Sequence, residues 1–234
     1  MALEHDADAA IVIDGAEGAG KSVLALQVGT FLDKDNMINP DTQIHFSSKS
    51  VLQAAKTLPP GKVIIYDESG EALDVSLAGS KKQRDMKQMF KEVRQQNLIF
   101  ILVLPSFYDL QRYFAIHRTR ALLHVYWVAN KSDVESEKYF KRGKYRYYNE
   151  AGKRILYTTD TYRKHYSYPT ANRDGPLSIF TGKYPHHYPI PEAAYRKRKR
   201  EHTASLNEEE KIAAIDWRQK VCLLYTSPSP RDRS

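Results

Sequence analysis

Apolar residues fall in short blocks along the first half of the chain, and their spacing predicts strands alternating with helices. Residues 10–14 form an apolar run that stops at Gly15, the pattern of a strand buried on both faces; Val23, Leu24, Leu26 and Phe31 then recur at helical spacing over Lys21–Leu32. A weaker strand is predicted at 43–46, followed by a helix over 50–58 that stops at Pro59, Pro60 and Gly61. Val63–Tyr66 is the next buried strand, closed by Asp67 and Glu68, and 81–96 is a charged helix with Met86, Met89, Phe90 and Val93 along one face. Seven consecutive apolar residues at 98–104 end at Pro105, a run too short for a membrane span and well sized for a central strand. Asp109 is placed to cap a helix running to Ile116, and 121–128 makes a fifth strand. This order predicts an α/β fold with a parallel, doubly wound sheet.

The pattern changes near Glu137. Residues 138–148 and 154–159 are β-prone runs on either side of Asn149, Glu150, Ala151, Gly152 and Lys153, which predicts a β-hairpin. The stretch to Pro191 is rich in Pro, Tyr and His without a period, and 192–221 reads as a charged C-terminal helix. Charge changes at the same place. Of a net charge of +8, residues 138–200 carry +12, from 16 Lys/Arg against 4 Asp/Glu, which leaves −4 for the rest; the same residues hold 11 of the 16 tyrosines. The division that follows is a core at 1–137, a basic, tyrosine-rich appendage at 138–221, and a tail at 222–234. That tail contains the single cysteine, Cys222, and reads like the in-frame translation of a transposase-type sequencing adapter, so it is set apart from the fold. The acidic N-terminus, with Glu4, Asp6 and Asp8, is unlike a signal peptide, and no membrane span is evident, which points to a cytoplasmic location.

The chemistry is concentrated after the first strand. Gly15, Ala16, Glu17, Gly18, Ala19, Gly20, Lys21 and Ser22 fit the pattern G-x-x-x-x-G-K-S without a mismatch. In that pattern glycines let backbone N–H groups turn inward around a β-phosphate, the following helix N-terminus favours anions, Lys21 reaches the β- and γ-phosphates, and Ser22 ligates Mg²⁺. ATP with Mg²⁺ is the expected ligand. Asp67, at the carboxyl end of a buried strand, is the second magnesium-holding group, and Glu68 is either the base that activates the attacking water or a solvated rim charge. With residues 98–106 inserted between those two strands, the core would be a RecA-like P-loop NTPase of the additional-strand type. Ser106 would then be a sensor of the γ-phosphate, or a plain turn after Pro105.

Residues 94–126, from Arg94 through Pro105, Ser106, Asp109 and His117 to Tyr126, resemble the region after the second Walker motif in zonular occludens toxin-like ATPases of phages and in FtsK/HerA-type ATPases. The resemblance covers roughly residues 11–157. It implies an oligomeric ATPase, in a ring, that acts in virion morphogenesis, DNA packaging or DNA transfer. Ser106 stands where those families usually carry Gln, and the toxin family's membrane span is absent here. In a ring, an arginine of one subunit must reach its neighbour's γ-phosphate. Arg94, Arg118 and Arg120 are candidates for that contact, or else pair with surface acids or cap helices.

Tyr139, Lys141, Arg142, Lys144, Tyr145, Arg146, Tyr147 and Tyr148 interleave cations with rings, and residues 196–200 add a basic run. Phosphate neutralisation with base stacking is how single strands are held without sequence preference, so 138–200 is the expected nucleic-acid contact unless it is a solvated face. His124, inside a strand, and the pair His186 and His187 do not read as metal sites. Two function classes remain from sequence: a DNA-handling motor ATPase of a phage or mobile element, and a small P-loop kinase or nucleotide-dependent switch.

Overall fold

The computed structural model describes residues 9–67, 81–129, 140–169, 179–184 and 189–205. In chain order they form β1 (Ala9–Gly15), α1 (Lys21–Leu32), α2 (Pro40–Gln43), β2 (Ile44–His45), α3 (Ser48–Thr57), β3 (Val63–Tyr66), α4 (Lys81–Gln95) and β4 (Ile99–Val103). A 3-10 turn (Phe107–Asp109) and a π-helix (Phe114–Arg118) lead to β5 (Ala121–Ala129), β6 (Phe140–Tyr148), α5 (Glu150–Thr158), α6 (Asp160–Lys164), β7 (Ile179–Lys183) and α7 (Glu192–Ser205).

One seven-stranded sheet holds them, in the order β2-β3-β4-β1-β5-β6-β7. The first five strands are mutually parallel. β1 runs between β4, with Ile11 opposite Ile101, and β5, with Ile13 opposite Leu123. β4 is therefore inserted between β3 and β1, as its length and uniform apolarity predict. Successive side chains point to opposite faces. Val12, Ile64, Phe100, Leu102 and Leu122 face a core closed by α3, α4, the π-helix and α5, while Ile13, Ile65, Ile101, Val103 and Leu123 face a second core beneath α1.

The sheet is mixed rather than wholly parallel, because β6 pairs antiparallel with β5 and β7 antiparallel with β6. The change in composition near Glu137 is thus no break in the sheet. The predicted hairpin at 138–159 is also corrected: only its first arm is a strand. Asn149 accepts a hydrogen bond from Gly152 N (2.9 Å) and caps α5, so 154–158 is helical. Its buried stripe is Gly152, Lys153, Leu156 and Tyr157, a helical period hidden in the sequence because one member is a lysine.

That lysine is fully enclosed and donates from Nζ to Thr119 Oγ1 (2.8 Å), Ala115 O (3.3 Å) and the Thr119 carbonyl. It thereby covers the carbonyl end of the π-helix. Asp109, expected to cap a helix running to Ile116, stands three residues before that helix begins. It is the last residue of the 3-10 turn, whose N-cap is Ser106, accepting from Tyr108 N (3.2 Å), and the helical winding begins only after Gln111. The long C-terminal helix is seen as α7, and its expected continuation at 206–221 lies outside the described residues, as does the 222–234 tail.

Candidate nucleotide-binding site

Residues 15–22 join the end of the central strand to α1. Gly15 has φ +140°, and a Cβ there would stand 2.1 Å from the Val125 carbonyl oxygen, so β5 leaves room for no side chain. Its N–H donates to Pro105 O (3.2 Å), which ties the loop to the end of β4 as well. Gly20, at φ 105°, is the N-cap of α1, and no side chain caps that helix, so its first N–H groups face the loop. Glu17 and Gly18 are exposed at the rim, Ala19 is buried, and Ala16, Lys21 and Ser22 are half-buried.

Lys21 is folded back over its own loop, donating to Gly15 O (2.6 Å) and Ala16 O (2.9 Å). Burial pulls its ammonium below the ordinary value; Asp67, then Asp14 and Glu17, oppose that pull, and Lys199 adds to it. Asp67 is the leading opposite charge around Lys21. It is 3% exposed, directly after β3, and its N–H donates to His45 O (2.9 Å). A hydroxyl at the first turn of α1 and a buried carboxylate at the end of β3 are hard oxygen donors of the kind Mg²⁺ takes, so Ser22 and Asp67 fit that ion. Glu68 lies outside the described residues.

Ser106 is 2% exposed, and its hydroxyl is engaged by Tyr108 N and by Tyr168 OH (3.3 Å). In this arrangement its contacts are those of a cap. Arg118 donates to Phe90 O (3.3 Å) and lies over the Phe90 ring, Arg120 pairs with Glu150 (3.5 Å) at the surface, and Arg94 is exposed on α4. Each of those contacts is made within this chain.

Sequence reasoning gave no role to a buried network under the loop. Asp14, fully enclosed, accepts from Phe107 N (2.8 Å) and Tyr168 OH at Oδ2 and meets His124 Nδ1 (2.9 Å) at Oδ1. The Tyr168 ring stacks on His124 with centroids 3.7 Å apart. The signal was present, as an acid ending an apolar strand and a histidine inside another, since buried charges demand partners.

Two further tyrosines of the basic segment reach the same region. Tyr184 OH donates to Gly20 O (3.0 Å), and burial pushes its phenol well above the ordinary value. Tyr195 OH donates to Asp67 Oδ2. The Arg142 guanidinium lies 3.8 Å from where a Cβ on Gly18 would be. Other members of the tyrosine-cation run are occupied: Arg146 donates to Tyr168 O (2.8 Å) and sits 4.3 Å over the Tyr126 ring, Tyr148 is buried, and the Tyr145 ring lies against Gly182. Tyr147 is the exposed ring of β6 among the described side chains, at 37%.

No family model matches the chain, and no curated protein does. Among solved structures, the N-terminal domain of zonular occludens toxin from Neisseria meningitidis superposes at TM-score 0.45 and 14% identity, over 81% of this chain and 97% of that one. A likeness of that size leaves the fold to be argued from its own strands. No helix among the described residues is long and apolar enough to cross a membrane, and no group of three or more His, Cys, Asp or Glu residues among them is arranged to hold a metal ion.

Proposed function

We propose that this chain binds ATP with Mg²⁺ at residues 15–22 and hydrolyses it. The observation that carries the reading is where the sheet places Lys21's loop and the buried carboxylate of Asp67. A glycine loop after the central strand and a buried carboxylate after β3, one strand further out across β4, are held at the same end of a parallel sheet. Ligands of open α/β sheets bind at the carboxyl ends of the strands, and a helix N-terminus with backbone N–H groups and a lysine suits a polyphosphate. Ser22 and Asp67 would hold Mg²⁺, which supplies charge neutralisation of the phosphates. Lys21 leaves the loop carbonyls for the β- and γ-phosphate oxygens, and Glu68 takes the proton of the attacking water.

The wider role proposed is a DNA-handling motor of a phage or mobile element, working as a homo-oligomeric ring. The positive charge of 138–200, the exposed Arg142 beside Gly18 of the loop and the exposed Tyr147 on β6 support a nucleic-acid partner. The test is the ATPase rate of the whole chain with and without single- and double-stranded DNA. Stimulation by DNA that fades with salt is the expected outcome. Turnover indifferent to DNA leaves a nucleotide switch or kinase, and no ATP binding removes the reading.

A further inference from the structure

Segment 138–200 does not hold all the concentrated positive charge of the chain. Residues 81–120 carry +6, from 9 Lys/Arg against 3 Asp/Glu, inside a remainder whose net charge is −4. The fold gathers part of that charge along a groove of about 550 Å³ between α4 and the π-helix. Lys87, Lys91 and Arg94 line it from α4, all exposed and at i, i+4 and i+7, which is one helix face about 10 Å long. Arg118 lines the other wall, held by its bond to Phe90 O (3.3 Å) with its guanidinium 5.8 Å from the centre of that ring. Phe90 and Phe114, both buried and stacked at 4.9 Å, make the floor. Tyr113 stands at the rim, 55% exposed and edge-on to Phe114 at 5.4 Å. Among the described residues that line the groove there is no acid. Phe90 and Phe114 belong to the core on the face of the sheet opposite α1, so the groove is separate from the loop at 15–22 and from 138–200.

We propose that this groove binds single-stranded nucleic acid, with Lys87, Lys91 and Arg94 on phosphates and Tyr113 under a base. The inference rests on the nucleic-acid reading above, adds a second site to it, and needs no ATP. Lys87 and Lys91 are like charges one turn apart, a pairing that works against the helix carrying it. Helix α7 meets the same problem with acids: Glu192 pairs with Arg196, and Glu201 with Lys197 (3.9 Å). The lining of the groove carries no such acid among the described residues, so a polyanion is the ligand that turns the repulsion into attraction. A row of cations along an open groove suits a chain of phosphates better than one small anion. An exposed ring serves a strand whose bases are unpaired, because a duplex keeps its bases stacked inside. Phe114 backs the Tyr113 ring and Phe90 holds Arg118, so the core fixes both before any strand arrives.

The test follows the fluorescence anisotropy of a labelled oligothymidylate of about 12 nucleotides on the full chain over a range of salt, without ATP. Lys87→Gln, Lys91→Gln and Arg94→Gln combined should reduce the slope of log affinity against log salt by about 2, at about 0.7 per contact. Tyr113→Ala should weaken binding roughly ten-fold to a hundred-fold at every salt concentration and leave the slope alone, and Tyr113→Phe should restore it. All four side chains are exposed, so these variants should keep the wild-type Tm; Lys34→Gln, exposed after α1, is the control and should bind as the wild type does. Arg142→Gln with Lys144→Gln reports on 138–200 separately. If that pair lowers the slope while both groove variants bind like the wild type, 138–200 is the contact and the groove is not a site. If the triple variant loses slope but Tyr113→Ala binds normally, the groove meets phosphates alone and the single-strand assignment fails. If the wild type binds no oligonucleotide at low salt, the groove and the nucleic-acid reading fall together, and ATP binding is untouched.

Discussion

The five parallel strands and the described residues of 140–205 that follow them reach the same loop by different means. The first set approaches through backbone: Gly15 against the Val125 carbonyl, Gly15 N–H to Pro105 O, and the open N-terminus of α1. The second set approaches through long side chains, with Tyr168 on Asp14, Tyr184 on Gly20 and Tyr195 on Asp67. A phenol suits that work because its ring packs in the core while its hydroxyl satisfies a buried acceptor. What looks from composition like an appended nucleic-acid grip is therefore also the inner wall of the candidate site at residues 15–22. Tyrosine content alone did not separate rings turned inward from rings offered to solvent.

The comparison breaks most completely at Lys21, the centre on which both regions converge. Lys21→Ala should lower ATP affinity by about a hundredfold or more, from two lost charged contacts, and take turnover to background. Near wild-type turnover would mean that the loop is not the phosphate site. Glu68→Gln should keep affinity and lower turnover by about 10²–10⁴-fold, the span of a general base. Loss of binding in that variant, measured with the fluorescent analogue, would assign Glu68 to ligand or fold instead.

Legibility followed the same division. Strands of the first region were readable because burial on both faces leaves uninterrupted apolar runs such as 98–104, and the loop because its backbone geometry demands glycine at fixed spacing. The second region was misread where tertiary contacts outweigh local preference. Residues 154–158 are β-prone by composition, yet Asn149 caps a helix there and Lys153 finds carbonyl partners 34 and 38 residues away. Asp14 passed as the end of an apolar run because its partners, His124, Phe107 N and Tyr168, come from three distant places. Contacts between remote positions leave little local periodicity to read.

Asp14 and Tyr168 measure whether the two regions act as one unit. Asp14→Asn should cost about 2–4 kcal/mol of stability in urea unfolding, since it disturbs a buried, fully engaged carboxylate. Tyr168→Phe should cost less, because the ring can still stack on His124. In a double-mutant cycle the pair should couple by about 1–2 kcal/mol. Strict additivity would place the Tyr168 segment outside the cooperative unit of the sheet, and the inner-wall description would fail with it.

The smallest effect is expected at Lys153, where α5 meets the π-helix. Burial lowers its pKa to about 8, with Glu150 raising it and Arg120 and Arg154 lowering it further. In the unfolded chain the same amine titrates near 10.5. Between those values the unfolded state holds more protons than the folded one, so stability contributed by this site rises with pH across the window and is flat below it. The phenols of Tyr148, Tyr157 and Tyr184, raised by burial, act in the opposite sense above their unfolded value of 10. Those phenols are common to the wild type and to Lys153→Met, so the difference between the two proteins isolates the lysine. As pH rises from 8 to 10, Tm of the wild type should gain on that of Lys153→Met by a few degrees. Below pH 8 the gap between them should be constant. A gap that does not move across the window would show that Lys153 titrates as in the unfolded chain, and that the carbonyl end of the π-helix is not where its charge is held.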